Sequence, residues 1–212
     1  MRLKNNPRLA AVLAASEERA RGRRPLLTGA SRLASPAPSA SAGRQYRILG
    51  LDTALRKTGW GIIDASGGHF RAVDCGVVLN DRKVSVSDCL RRLNGALKGL
   101  LNNYHPDIAV IEGGFFCKNA RTAIILGTAR GAVLGVLAEA QIEIYEYAPR
   151  RVKQMVCGFG NASKGQVALL VAQFLQIKVD NLSDDSTDAL ALALCHAQLL
   201  GTAQGLSLGE PL

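Results

Sequence analysis

The order of its apolar segments constrains the fold of this chain more than any other feature of the sequence. Three short segments with the composition of strands come first, over residues 46–51, 58–63 and 70–79. Gly67 and Gly68 separate the second from the third and predict a turn, so the three strands form an antiparallel meander. The first segment is a short apolar run, which is typical of a buried strand.

Helical and strand patterns alternate after this meander. Helices are predicted over 87–104, where leucines recur at three- and four-residue steps, and over 119–140, 149–155, 163–177 and 183–200. Two further apolar strands are predicted over 107–111 and 142–147. A meander followed by alternation predicts an α/β domain with a five-stranded mixed sheet flanked by helices.

The first 44 residues differ in charge from the rest of the chain. They hold nine Lys or Arg and two acids, a net charge of +7, whereas residues 45–212 carry only +2. Residues 34–43 are rich in Ala, Ser and Pro and show no periodicity. We therefore predict a disordered basic extension over 1–44, a folded domain over 45–205 and a flexible tail over 206–212. A phosphate-contacting arm, an organelle transit peptide and a non-functional extension remain alternative interpretations of residues 1–44.

The composition excludes several classes of protein. No apolar run reaches the roughly 18 residues of a membrane span, so we expect no membrane insertion. Five cysteines without a CxxC pair argue against a disulfide scaffold or a zinc ribbon and predict a reducing, cytoplasmic location. No GxxxxGK[ST] loop is present, so ATP-driven work would belong to a partner.

Carboxylates follow two of the apolar strands. Asp52 ends the first strand and Glu112 ends the strand over 107–111, so parallel pairing would place both at one edge of the sheet. Asp184, Asp185 and Asp188 stand near the start of the last helix, and the last two project from one face. Each acid alone could be a loop cap or complement a helix dipole, so the argument depends on their joint arrangement.

Carboxylates that converge on one point repel one another unless cations neutralise them. Oxygen ligands with few nitrogens or thiols suit Mg²⁺ or Mn²⁺. Two such ions can activate a water and stabilise the leaving oxygen in phosphodiester cleavage. The acids therefore predict a metal-dependent nuclease.

Several stretches together resemble the RuvC family of Holliday-junction resolvases, over about residues 47–196. The strongest are 111–119 (IEGGFFCKN) and 126–131 (LGTARG), followed by 145–154 (YEYAPRRVKQ), 158–160 (GFG) with Ser163-Lys164, and 185–191 (DSTDALA). The resemblance implies an RNase H-like fold, a homodimer, paired nicking of four-way DNA junctions in recombination and repair, and work with the RuvA and RuvB branch-migration proteins. It also implies a site that binds two Mg²⁺ ions through Asp52, Glu112, Asp185 and Asp188. Mn²⁺ would substitute for Mg²⁺ there.

The loop after Glu112 combines aromatic and basic residues beside the acids. Phe115 and Phe116 are followed by Lys118 and Arg121, and an exposed ring there would wedge or stack against bases at an opened crossover. The alternative is that both rings fill the core. By resemblance, Phe115 is the better candidate for the base contact.

Further basic residues come with the same resemblance. Lys153 and Lys164 match family lysines that face the scissile phosphate, and Arg150 and Arg151 are additional candidates for phosphate contacts. The three histidines have no zinc-ligand spacing, and we expect His196 to lie outside the metal site.

Two departures from the family pattern leave other functions open. The family usually has Asp-Pro-Gly at the first acid, where this chain has Asp52-Thr53-Ala54, and bulkier residues where it has Gly113-Gly114. The alternatives are another RNase H-like nuclease, such as one that cuts RNA–DNA hybrids, and a catalytically degenerate junction-binding protein. An actin-like phosphotransferase is a weaker third alternative, because no second phosphate motif is visible.

Overall fold

The protein is described here by a computed structural model, which covers residues 44–113, 119–202 and 211–212. The predicted extension lies almost entirely outside these described residues, as do Phe115, Phe116 and Lys118. Of the predicted C-terminal tail only the last two residues are described, and the Leu212 N–H donates to the Ile144 carbonyl at 2.9 Å.

The secondary structure has the predicted order. The elements are β1 (Tyr46–Asp52), β2 (Lys57–Ser66), β3 (His69–Leu79), α1 (Val86–Tyr104), β4 (Ile108–Glu112), α2 (Ala120–Glu139), β5 (Glu143–Tyr147), α3 (Pro149–Cys157), α4 (Lys164–Leu175) and α5 (Asp184–Thr202), with a short 3₁₀ turn (Val179–Asn181) before α5. The helix starts follow their capping signals. The Ser163 side chain caps α4 in a reciprocal capping box with Gln166, and the Ser183 hydroxyl accepts the Ser186 N–H before α5, as predicted for both serines.

The five strands form one mixed sheet in the order β3-β2-β1-β4-β5. The pairs β1–β2 and β2–β3 are antiparallel, whereas β1–β4 and β4–β5 are parallel. The predicted meander and mixed sheet are therefore confirmed. Because β1 and β4 are adjacent, parallel and central, their carboxyl ends meet at the same edge of the sheet.

Helices cover both faces of the sheet and bury a separate apolar cluster on each. Ile48 and Val110 point to the face that α3, α4 and α5 cover. Leu49 and Ile111 point to the opposite face, under α1 and α2. Residues of both parities are buried in β1 and β4, which explains why these strands have no polar alternation.

Helix α5 packs backbone to backbone against β1 and β2. A Cβ atom added at Gly50 would lie 1.9 Å from the Ala189 carbonyl oxygen, and one added at Gly59 would lie 1.9 Å from the Asp185 carbonyl oxygen. Only glycine allows this approach. Gly59 is also the cross-strand partner of Asp52, so the close packing fixes the first turn of α5 beside the end of β1.

Helix α2 is long and apolar enough, by length and composition alone, to cross a membrane. The sequence of α2 does not count as an apolar run of this length because Arg130 interrupts it, whereas its mean hydropathy is high enough. It is weak evidence for a membrane, since core helices of soluble proteins pass the same test. Ala129, Val133 and Leu137 pack against the sheet, but most of the helix surface is not buried.

Candidate active site

Three of the predicted acids line a single cavity. Asp52 at the end of β1, Glu112 at the end of β4 and Asp188 on α5 surround a space of about 360 Å³. Lys153 on α3 and Lys164 on α4 line the same cavity. The three carboxylates come from three elements that the sheet and the close packing of α5 bring together.

The fourth acid, Asp185, stands beside this cavity and does not line it. Its carboxylate forms an ion pair with Lys57 at the start of β2. The Asp185 side chain is 18% exposed, whereas the Lys57 side chain is 50% exposed. Asp185 still acts on the cavity electrostatically, because its charge contributes to the raised pKa of Asp52.

The pKa values of Asp52 and Glu112 are both raised. Burial is the main cause that raises the pKa of Asp52 to about 7, and the charges of Glu112, Asp188 and Asp185 add to it. Desolvation of the carboxylate by the surrounding protein is also the main cause of the raised pKa of Glu112, and the charge of Asp188 is the second cause. Lys164 opposes both shifts. The cavity therefore concentrates negative charge that a cation would stabilise.

Two lysines contact the acids. The Lys164 ammonium lies 3.2 Å from Asp188 Oδ2, a contact that raises the pKa of Lys164, and Lys57 pairs with Asp185. Within the described ranges, no group of three or more His, Cys, Asp or Glu side chains is arranged to hold a metal ion as it stands. The donor chemistry fits a hard divalent cation, and a complete ligand set requires these ammonium groups to move away from the carboxylates.

The other predicted DNA-contacting residues do not line the cavity or lie outside the described residues. Arg121 is exposed in the first turn of α2, and Arg150 is exposed in the first turn of α3. The Arg151 guanidinium stacks 5.9 Å from the centre of the Tyr147 ring. Nothing is described for Phe115, Phe116 and Lys118, so their DNA contacts stay predictions.

His196 is buried and does not line the cavity. Its Nδ1 lies 2.7 Å from the Tyr147 hydroxyl, and burial lowers the pKa of the imidazole to about 4. Among the residues that the structure describes, Cys75, Cys89, Cys157 and Cys195 form no disulfide, and all four pack in or against the apolar clusters.

Sequence reasoning missed two residues that contact the site. Lys57 had no signal, because a lone lysine at the start of a strand is usually solvated. Arg130 lies within one of the stretches that carry the family resemblance, but no role was assigned to it. Its guanidinium donates to the Glu112 carbonyl oxygen and to the Glu146 carboxylate, both at 2.5 Å.

The sheet order and the acids at the carboxyl ends of its central strands define the class of RNase H-like nucleases. A family model described as crossover junction endodeoxyribonuclease RuvC matches residues 48–196. The chain belongs to the RuvC family, which confirms the resemblance found in the sequence. Nucleases of this family are metal-dependent.

Individual relatives agree with the family model. The chain is 41% identical over 150 residues to the crossover junction endodeoxyribonuclease RuvC of Roseiflexus sp. (strain RS-1), which covers 71% of this chain and 89% of the relative. It is 40% identical over 152 residues to the RuvC of Borrelia turicatae (strain 91E135), with 71% and 94% covered.

Solved structures show the same fold. The RuvC of Thermus thermophilus in complex with a Holliday junction substrate superposes with a TM-score of 0.70 at 27% identity, covering 78% of this chain and 99% of that one. A yeast mitochondrial Holliday junction resolvase has a TM-score of 0.58 at 10% identity, covering 75% of this chain and 80% of that one, and so shares the fold.

Proposed function

We propose that this protein is a metal-dependent endonuclease that resolves Holliday junctions in DNA recombination and repair. The observation that carries the proposal is the cavity in which Asp52, Glu112 and Asp188 face Lys153 and Lys164, in a chain of the RuvC family. Acids suit the cations that phosphodiester hydrolysis needs, and lysines suit the phosphate. Membership of the family argues against the actin-like alternative.

The four acids Asp52, Glu112, Asp185 and Asp188 would hold Mg²⁺, or Mn²⁺ in its place, as two ions. The ions would supply an activated water and stabilise the leaving oxygen. The raised pKa of Asp52 means that its carboxyl carries a proton for part of the time near neutral pH when no cation is present. Lys153 and Lys164 would contact the scissile phosphate, and Lys164 would leave Asp188 to do so.

DNA binding would extend from the cavity along the rim of the sheet. Phe115 would contact a base at the crossover, with Phe116 as the second candidate and Lys118 beside them. Arg121 and Arg150 would contact phosphates, and both begin helices next to the carboxyl edge of the sheet. Support comes from placement, because the loop follows Glu112, which ends β4 and lines the cavity.

A homodimer would provide the two active sites that paired nicks require. The exposed face of α2 supports α2 as the contact between copies: Ile124, Thr128, Gly131 and Gly135 are exposed at three- and four-residue steps. A Cβ atom at Gly131 or Gly135 would meet nothing within 4 Å, so another backbone could approach closely. A second copy would cover apolar surface that the described part of this chain leaves open.

We further propose the RuvA and RuvB branch-migration proteins as partners, and action in the cytoplasm. The domain would span 45–205, which the family match over 48–196 supports, between the basic extension 1–44 and the tail 206–212. The net charge of +7 on residues 1–44 would add non-specific attraction to DNA.

The proposal is tested by incubating the full-length protein with a synthetic mobile four-way junction and Mg²⁺, and mapping the nicks. Symmetric nicks in two opposing strands are expected, and none with a chelator or with Asp188→Asn. A linear duplex and an RNA–DNA hybrid of the same sequence are the comparison substrates. Preferred cutting of the hybrid would favour another RNase H-like nuclease, and tight junction binding without nicks would favour a degenerate binding protein.

A further inference from the structure

We propose that Arg130 is a positioning residue for the cleavage reaction, which holds the backbone of Glu112 so that its carboxylate faces the cavity. This inference rests on the proposed function of the same site. Arg130 does not line the cavity, and it would act through Glu112.

The Arg130 guanidinium joins three elements at one point. From α2, its Nη1 donates to the carbonyl oxygen of Glu112 at the end of β4, and its Nη2 donates to the carboxylate of Glu146 on β5, both at 2.5 Å. The Arg130 side chain is only 18% exposed and that of Glu146 30%. Such charge-assisted bonds in a partly buried position are stronger than neutral ones.

Glu112 needs this support because the sheet holds it on one side only. The register of β4 with β1 ends at Ile111, whereas its register with β5 includes Glu112 opposite Tyr147. The Gly113 N–H then donates to the Tyr147 carbonyl at 2.9 Å, again toward β5. Arg130 therefore supplies an anchor at the place where the strand leaves the sheet.

Gly113 and Glu146 complete the arrangement. A Cβ atom at Gly113 would lie 2.2 Å from Cγ and 2.3 Å from Oε1 of Glu146, so the side chain of Glu146 fills the space that glycine leaves. From this position Glu146 meets Arg130. The double glycine after Glu112 thus has a structural reason at its first position.

The expected consequence is an effect on geometry rather than on binding. The Glu112 carbonyl belongs to the peptide that joins Glu112 to Gly113, so loss of the anchor lets the backbone of Glu112 move and its carboxylate with it. A displacement of about 1 Å in a catalytic site can cost on the order of 100-fold in rate. A lysine cannot replace Arg130, because only the planar fork of arginine donates to two acceptors in fixed directions.

The test compares variants of the full-length protein. Arg130→Met and Arg130→Lys should lower kcat on the junction about 10- to 100-fold. Both should weaken Mn²⁺ binding, measured by electron paramagnetic resonance without DNA. The Kd for the junction should stay within about 3-fold of the wild-type value. Glu146→Gln should retain most activity because its amide oxygen still accepts from Nη2, whereas Glu146→Met should not. Lys98→Met is the matched control, since it breaks the Lys98–Glu139 ion pair, which also involves α2, away from the cavity.

The outcomes separate this inference from the proposed function. Arg130→Met with the wild-type kcat and the wild-type Mn²⁺ affinity would overturn it, as would equal losses in Lys98→Met. The inference would also be overturned if the variants lost kcat and Mn²⁺ affinity only near a lowered Tm and recovered both at temperatures well below that Tm. If the wild type nicks no junction, the proposed function fails, and a change in Mn²⁺ affinity still decides whether Arg130 positions Glu112.

Discussion

Substitution of Gly59 by alanine should separate the last helix from the sheet at the active site. The added Cβ would lie 1.9 Å from the Asp185 carbonyl oxygen, where ordinary contact begins at 3.4 Å, so the first turn of α5 must move by about 1.5 Å. Both sides of the contact are backbone, so no side-chain rotation relieves it. The movement carries Asp185 and Asp188 away from Asp52, the cross-strand partner of Gly59.

The size of the effect follows from two independent estimates. Overpacking of this kind costs about 1–3 kcal/mol, and each kcal/mol lowers Tm by roughly 2–4 °C for a domain of this size. A misplacement of more than 1 Å among catalytic groups should lower the cleavage rate at least on the order of 100-fold. The variant should therefore remain folded at 25 °C and lose most of its nicking activity.

Thermal melting and junction nicking well below Tm measure the two effects separately. Gly201→Ala is the matched control, since it lies on the same helix and its Cβ would meet nothing within 4 Å. It should melt and cleave like the wild type. A Gly59→Ala protein with the wild-type Tm and cleavage rate would refute the close packing of α5 against β2, and with it this account of how the acids are placed.

Four further outcomes are expected. Amide replacement of any of the four acids should nearly abolish nicking and leave junction binding in gel-shift assays intact, and an amide variant that nicks normally would remove its residue from the catalytic set. Without metal, the raised pKa of Asp52 lets the folded protein hold a proton that the unfolded chain has released, so the contribution of this carboxyl to the free energy of unfolding should fall as pH rises from about 4 to about 7, while the lowered pKa of buried His196 acts in the opposite direction. In denaturant titrations the wild type should therefore lose stability relative to Asp52→Asn as the pH rises, and an identical pH dependence of the two proteins would contradict the shift. Deletion of residues 1–44 should weaken non-specific DNA binding and its salt dependence without moving the nick positions, and loss of cleavage at saturating protein would place the extension in the catalytic unit. Phe115→Ala should slow junction nicking by a factor of roughly 5 to 150 at an unchanged Tm, whereas a loss of about 3–5 kcal/mol in stability would show a core ring instead.

The order of the elements along the chain and the meander could be predicted because both depend on local patterns, and the meeting of Asp52 with Glu112 could be predicted on the condition that their strands pair in parallel. Apolar runs without alternation identify central strands, and a turn at Gly67-Gly68 fixes the meander. Once β1 and β4 are adjacent and parallel, chain direction alone places both acids at one edge. These conclusions need no knowledge of side-chain conformation.

The contacts made across the tertiary structure could not be predicted. Gly59 within a strand pattern indicates only a weaker strand or a close approach, and the helix that approaches it begins more than 120 residues later. The pairing of Lys57 with Asp185 and the reach of Arg130 to Glu112 depend on rotamers of long side chains. Such choices are set by the assembled neighbours and leave no periodic signal in the sequence.

The distribution of the acids along the chain has a consequence for protein synthesis. Asp52 ends the first strand, whereas Asp185 and Asp188 belong to the last helix, α5, which packs against the first two strands. A nascent chain that has folded its meander while the ribosome is still translating α4 holds only two of the four carboxylates. On the proposed assignment of the acids, such an intermediate would lack two of the metal-binding carboxylates, and DNA cleavage would require α5 to dock first.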